Sequence, residues 1–114
     1  MTGPLPRLPE RVAAFLSEHA GSPNELGVLL ALIGSERRWW DARSIAAEAD
    51  LPLAEARRAL EALASRNLLD IRISVDLRYR LRAGTPELEH GLDRLIATYR
   101  RSPSLVREWA ARFN

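Results

Sequence analysis

Arg78, Arg80 and Arg82 occupy every second position of the stretch LRYRLR, and Arg72 holds the same phase in the preceding stretch LDIRIS. Alternate residues of an extended strand point to one face, so two paired strands would gather these four side chains. A guanidinium is a planar fork that donates two hydrogen bonds at once to a phosphate or carboxylate. A row of such forks can track a phosphate backbone, where each neutralised phosphate adds affinity by releasing counterions. The plainer account is that solvent-facing strand positions are polar in any case. All 17 basic residues of this chain are arginine, with no lysine. Like charges this close also repel and need compensation.

A second candidate pair lies in LPLAEARRALEAL, residues Leu51 to Leu63. Arg57 and Arg58 are adjacent, so on a helix they cannot both face inward. They can reach phosphates or guanine edges, or they can pair with Glu61 on a solvated helix face. No other chemistry is set up. There is no cysteine, and His19 and His90 are isolated, without metal-ligand spacing. No nucleophile–base pairing, carboxylate cluster or phosphate-cradling glycine loop appears, so we expect neither an enzyme nor a cofactor or bound metal.

The elements that must hold these residues follow from periodicity. Leu8, Val12, Phe15 and Leu16 form a helical stripe, with Pro9 at its start and Gly21 expected to end it. Ser22-Pro23-Asn24-Glu25 reads as a capping box that opens a second helix with Leu26, Leu29, Leu30 and Ile33 inward. Trp39-Trp40 then form a short extended link, one indole inward and the other outward. Asp41 caps a short third helix to about Ala49, with Ile45, Ala46 and Ala49 facing in. Asp50-Leu51-Pro52 is a tight turn. A fourth helix spans about Leu53 to Arg66 on the face Ala56, Ala59, Leu60 and Leu63, and Asn67 closes it. The period then drops to two. Leu69, Ile71 and Ile73, then Leu77, Tyr79 and Leu81, make the apolar face of a hairpin whose other face is polar. Thr85-Pro86 caps a fifth helix with Leu88, Leu92, Leu95, Ile96 and Tyr99 inward. After Pro103 a last stripe of Leu105, Val106, Trp109 and Phe113 has more apolar area than a terminal arm needs. It packs back on the first helix or meets a second chain.

This order of elements, and the stretch SIAAEADLPLAEARRALEALASRNLLDI in particular, resembles the winged helix-turn-helix superfamily, most closely the MarR-type bacterial regulators. Ile45-Ala46, the turn residue Leu51, and Ala56, Leu60 and Leu63 fall on the motif's buried positions. Asn67-Leu68-Leu69 stands at the entry to the wing, and Asp76-Leu77-Arg78 is similar to that family's Asp-x-Arg. The resemblance implies a mainly α fold with a small β-hairpin wing and flanking N- and C-terminal helices. As one domain over residues 1–114, it has N-terminal helices and a short strand at 8–40, a helix-turn-helix and wing at 41–83, and a C-terminal arm at 85–114. The implied function is that of a DNA-binding bacterial transcriptional regulator. The implied contacts to double-stranded DNA are Arg57, Arg58, Arg72, Arg78, Arg80 and Arg82, and the implied homodimer is joined through Leu105, Val106, Trp109 and Phe113.

Charge tempers that expectation. The net charge is only +2. Residues 41–66 carry four arginines against five acids, whereas residues 67–84 carry four against two. Leu53 replaces the hydroxyl that usually caps the reading helix, and Glu55 puts a negative charge in its first turn. These features motivate a second expectation, a winged-helix protein–protein interaction module without DNA. The start MTGPLPRLPE has no secretory pattern, and the longest apolar run, Leu26 to Gly34, is shorter than the about 20 residues that span a bilayer. We therefore expect a soluble cytoplasmic protein with no membrane contact.

Overall fold

The computed structural model describes residues 8–34 and 38–111. Its elements, in order, are α1 (Glu10–His19), α2 (Pro23–Ile33), β1 (Trp40–Asp41), α3 (Ala42–Ala49), α4 (Leu53–Ser65), β2 (Leu69–Ile73), β3 (Leu77–Leu81), α5 (Pro86–Arg101) and α6 (Pro103–Ala111). The fold is mainly helical, with a small antiparallel sheet in the order β1-β3-β2. The short strand expected after the N-terminal helices is Trp40–Asp41, an edge strand in which Trp40 pairs with Tyr79 and Asp41 with Arg78.

Helix α2 is the hub, packed against α3, α4, α6 and β3. Leu26, Val28, Leu29, Leu32 and Ile33 are all buried. The expected one-sided stripe was too narrow, because a helix surrounded by other elements is apolar on more than one face. Its start is held by the capping box. Ser22 Oγ accepts from the Glu25 N–H at 3.2 Å and donates to Glu25 Oε2 at 2.9 Å. Glu25 also accepts from the Gly21 N–H at 3.2 Å and from Arg66, which in turn donates to the His19 carbonyl at 3.2 Å. One arginine at the end of α4 thus ties the end of α1 to the start of α2.

Gly21 does not close α1 in a left-handed cap. Ala20 is extended at the C-cap, and among the described residues no glycine has positive φ. A Cβ on Gly21 would lie 2.8 Å from Arg66 Nη2, so this glycine makes room for the arginine. Among the described residues the left-handed positions are Asp50, at φ 55°, and Asn67, at φ 62°. They end α3 and α4, and Asp and Asn tolerate that conformation better than other side chains with a Cβ.

Burial pushes the Glu25 carboxyl up, but hydrogen bonds from Arg66, Ser22 and Gly21 together hold it below the usual glutamate range. A carboxylate whose folded pKa is lowered contributes stability that is complete above its unfolded pKa. That contribution is lost as pH falls through the folded value. Glu25→Gln should therefore lower stability near neutrality by about 2 kcal/mol and flatten the acid limb of the stability–pH curve, as urea unfolding at stepped pH would show.

Helix α5 packs across α1, where Gly91 faces Phe15. A methyl at Gly91 would overlap the Phe15 ring, which is itself buried. Alanine in a helix gains about 1 kcal/mol over glycine, but overpacking costs about 1–3 kcal/mol. We expect Gly91→Ala to be net destabilising, read as a fall in the thermal midpoint; a rise would mean that Phe15 moves freely aside.

Candidate nucleic-acid interface

The α3–turn–α4 unit is built as its sequence requires. Asp41 Oδ1 accepts the Ser44 N–H at 2.7 Å, which caps α3. Ala56, Ala59, Leu60 and Leu63 of α4 are buried against α2 and α3. That registers the helix and sends Arg57 and Arg58 outward, where both are exposed. Neither forms an ion pair among the described residues, so pairing with Glu61 does not occupy them. The first turn of α4 follows Pro52, with no side-chain cap. Its exposed Glu55 accepts a hydrogen bond from Asn24 Nδ2 at 3.2 Å.

The sheet presents the arginines differently. In the β2–β3 register Asp70 faces Arg80 and Arg72 faces Arg78, so the polar face of the hairpin carries its own compensation. Asp70 Oδ2 accepts from Arg80 at 3.1 Å and from Arg82 at 3.2 Å, and Arg78 Nε donates to Asp76 at 3.3 Å. Burial pushes the Asp70 carboxyl up, yet Arg80 and Arg82 bring it below the ordinary aspartate value. Trp39 lies on the same face. The Arg80 guanidinium sits 4.5 Å from its ring centre and that of Arg72 5.9 Å away, while Arg38 lies 4.0 Å from the Trp40 ring. Cations over an indole are held by the ring quadrupole.

The six candidate arginines thus fall into two sets. Arg57, Arg58 and Arg72 are exposed and make no ion pair among the described residues; Arg78, Arg80 and Arg82 share two aspartates. Across the ladder Arg72 stands opposite Arg78, and Tyr79, on the other face of β3, lies within reach of the charges of Glu61 and Arg57. Desolvation first, and the charge of Glu61 second, raise the Tyr79 hydroxyl above the ordinary tyrosine value against the opposing charge of Arg57.

The apolar face of the hairpin departs from expectation. Tyr79 and Leu81 are buried, but Ile71 and Leu77 are each 48% exposed, Ile73 is 81% exposed and Val75 fully so. The strands outrun the helical body beneath them, so alternation was right and coverage was not. Trp39 as an arginine platform and Asp70 as their counter-ion were also missed. The signal for Asp70 was its position at the start of the strand facing Arg80, which becomes visible once the turn fixes the register.

One residue of the C-terminal stripe is spent inside the chain. After Ser102, α6 folds back chiefly against α5 and α2. Val106 is fully buried there and cannot also meet a second chain. Leu105 and Trp109 are half-buried, and Phe113 lies outside the described residues. Among the described residues no group of three or more His, Asp or Glu could hold a metal, and no helix is long and apolar enough to cross a membrane. No protein-family model, curated protein or solved structure matches the chain.

Proposed function

We propose that the chain is a winged helix-turn-helix protein that binds double-stranded DNA and serves as a bacterial transcriptional regulator. Helix α4 enters the major groove and the β2–β3 hairpin lies along the flanking backbone. The observation that carries this reading is the pair Arg57–Arg58. Both stand on the outer face of a helix whose other face is locked into the core, and no acid of the described chain neutralises them. A helix docked in the major groove reads base edges with such side chains, and phosphate contacts set its position. Arg72 supplies a third unpaired cation. Arg78, Arg80 and Arg82 contribute less attraction than their number suggests, because Asp70 and Asp76 already face them.

The test is a heteronuclear NMR titration of the labelled chain with a short generic duplex at low salt. Shift changes centred on residues 53–62 and 72–82 are expected. Changes confined to other helices, or none, would remove the reading.

The uncovered apolar row Ile71, Ile73, Val75 and Leu77 favours a second reading, a module that meets protein. Apolar side chains add nothing to phosphate attraction, and exposed patches of this kind mark interaction surfaces. Retention of a partner by the wild-type chain, and its loss when Ile73 and Val75 become serine, is the result that this second reading expects.

A further inference from the structure

We propose that strand β2 pairs with β2 of a second copy of this chain, antiparallel about a twofold axis at Ile71, to form a continuous six-stranded sheet. This inference does not depend on DNA binding.

Strand β2 is an outer strand of the sheet. Its ladder to β3 fixes which backbone groups are already used. Arg82 N–H donates to the Leu68 carbonyl at 2.9 Å and Ser74 N–H to the Asp76 carbonyl at 3.1 Å, which are hydrogen-bonded positions of the same register. Hydrogen-bonded and non-bonded pairs alternate in an antiparallel ladder. Asp70 and Arg72 therefore turn their backbone groups toward β3, whereas Leu69, Ile71 and Ile73 turn theirs outward. Outside that ladder these three residues make no backbone hydrogen bond among the described residues. Their side chains include the exposed Ile71 and Ile73. The edge is thus an open template with an apolar face.

The side chains select the occupant and the register. An antiparallel partner must place odd residues opposite odd residues, so that outward N–H and C=O groups meet. With Ile71 opposite its own symmetry mate, Leu69 faces Ile73 of the second copy on the apolar side. On the polar side Asp70 faces Arg72 and Arg72 faces Asp70. These fall at non-hydrogen-bonded positions, where opposite side chains approach most closely. A shift by two residues either way puts Asp70 against Asp70 or Arg72 against Arg72, which like-charge repulsion disfavours. Arg72 is suited to the role, since it has only the 5.9 Å contact with Trp39 and no ion pair among the described residues. The surface is self-complementary, as a twofold interface must be.

The experiment is sedimentation velocity of the full chain, without DNA, from micromolar to millimolar concentration, with amide exchange at Ile71 and Ile73 followed by NMR over the same range. Dimer formation with slowing exchange at these two amides is expected. Ile71→Pro removes an N–H that the chain's own sheet does not use, so it should leave the circular dichroism intact and the chain monomeric. Arg72→Asp sets Asp against Asp and should weaken the dimer by at least about tenfold. An equimolar mixture of Arg72→Asp and Asp70→Arg chains restores opposite charges at both positions and should dimerise where neither chain does alone. If Asp70→Arg does not fold, the concentration dependence of the wild-type amides decides. A monomer at millimolar concentration, or a dimer indifferent to Ile71→Pro and Arg72→Asp, would overturn the proposal. So would a dimer dispersed instead by changes at Leu105 and Trp109.

Discussion

Replacing Arg57 and Arg58 together by alanine is expected to weaken binding to a DNA duplex by about 2–3 kcal/mol, roughly a hundredfold. Both side chains are exposed and carry no ion pair among the described residues, so the substitution removes charge without breaking an internal contact. Alanine is also the better helix former, so α4 should persist, and far-UV circular dichroism of the double variant serves as the control. Arg80→Ala provides the comparison. Its guanidinium is engaged by Asp70 at 3.1 Å and stacked 4.5 Å from Trp39, and its removal frees Asp70 to remain paired with Arg82. The loss there should be several-fold smaller. Arg57→Ala or Arg58→Ala singly should change the preference among duplex sequences, because base contacts specify while phosphate contacts position. Equal losses from helix and hairpin would mean that the charge pairing on the sheet does not discount those arginines.

Leu60→Ala should cost about 3–4 kcal/mol, a large share of the roughly 5–15 kcal/mol by which domains are stable. Leu60 is fully buried on the inner face of α4, in the cluster that contains Leu29, Ile45 and Leu63. Truncation leaves a cavity among elements that also set the angle of α4 to α3 and to the sheet. The lost transfer energy and the residual cavity add. A lower urea midpoint with an unchanged slope is the expected form. A cost under about 1 kcal/mol would show that α2 and α3 collapse onto the gap.

Much of the helical body was legible because several starts and stops had a local physical cause. Ser22, Asp41 and Thr85 all accept the N–H three residues on, and Pro23, Pro86 and Pro103 stand at first helical positions. Asn67 adopts the left-handed conformation expected of it. The inner face of α4 was readable from 3.6-residue spacing, and so was the outward direction of Arg57 and Arg58. The first helix does end just before Gly21, but glycine is equally useful for backbone freedom and for space, and only the approach of Arg66 from a distant helix decides which. The hairpin's alternation was plain, but its uncovered Ile73 and Val75 were not. Periodicity gives the face that is apolar, whereas coverage depends on how far the strands outrun the helices. The fate of Val106 was equally tertiary: the turn at Ser102–Pro103 directs α6 onto α2 and α5 and buries this one residue of the stripe inside the chain.

The pairing of Asp70 with Arg80 and Arg82 changes what the charge pattern means. A row of arginines on a strand suggests a strongly attractive face, yet two aspartates and an indole hold much of that face internally. The electrostatic attraction then rests on Arg57, Arg58 and Arg72, with partial help from Arg82, whose side chain is 66% exposed. That set implies a modest number of phosphate contacts.

The most direct measurement is fluorescence anisotropy of a labelled generic duplex titrated with the full chain at several low salt concentrations. Roughly three or four neutralised phosphates give a log–log slope of about −3 against salt, at about 0.9 per phosphate. Binding with a slope near that value is what the account predicts. A folded chain that leaves the anisotropy unchanged at the lowest salt would contradict it.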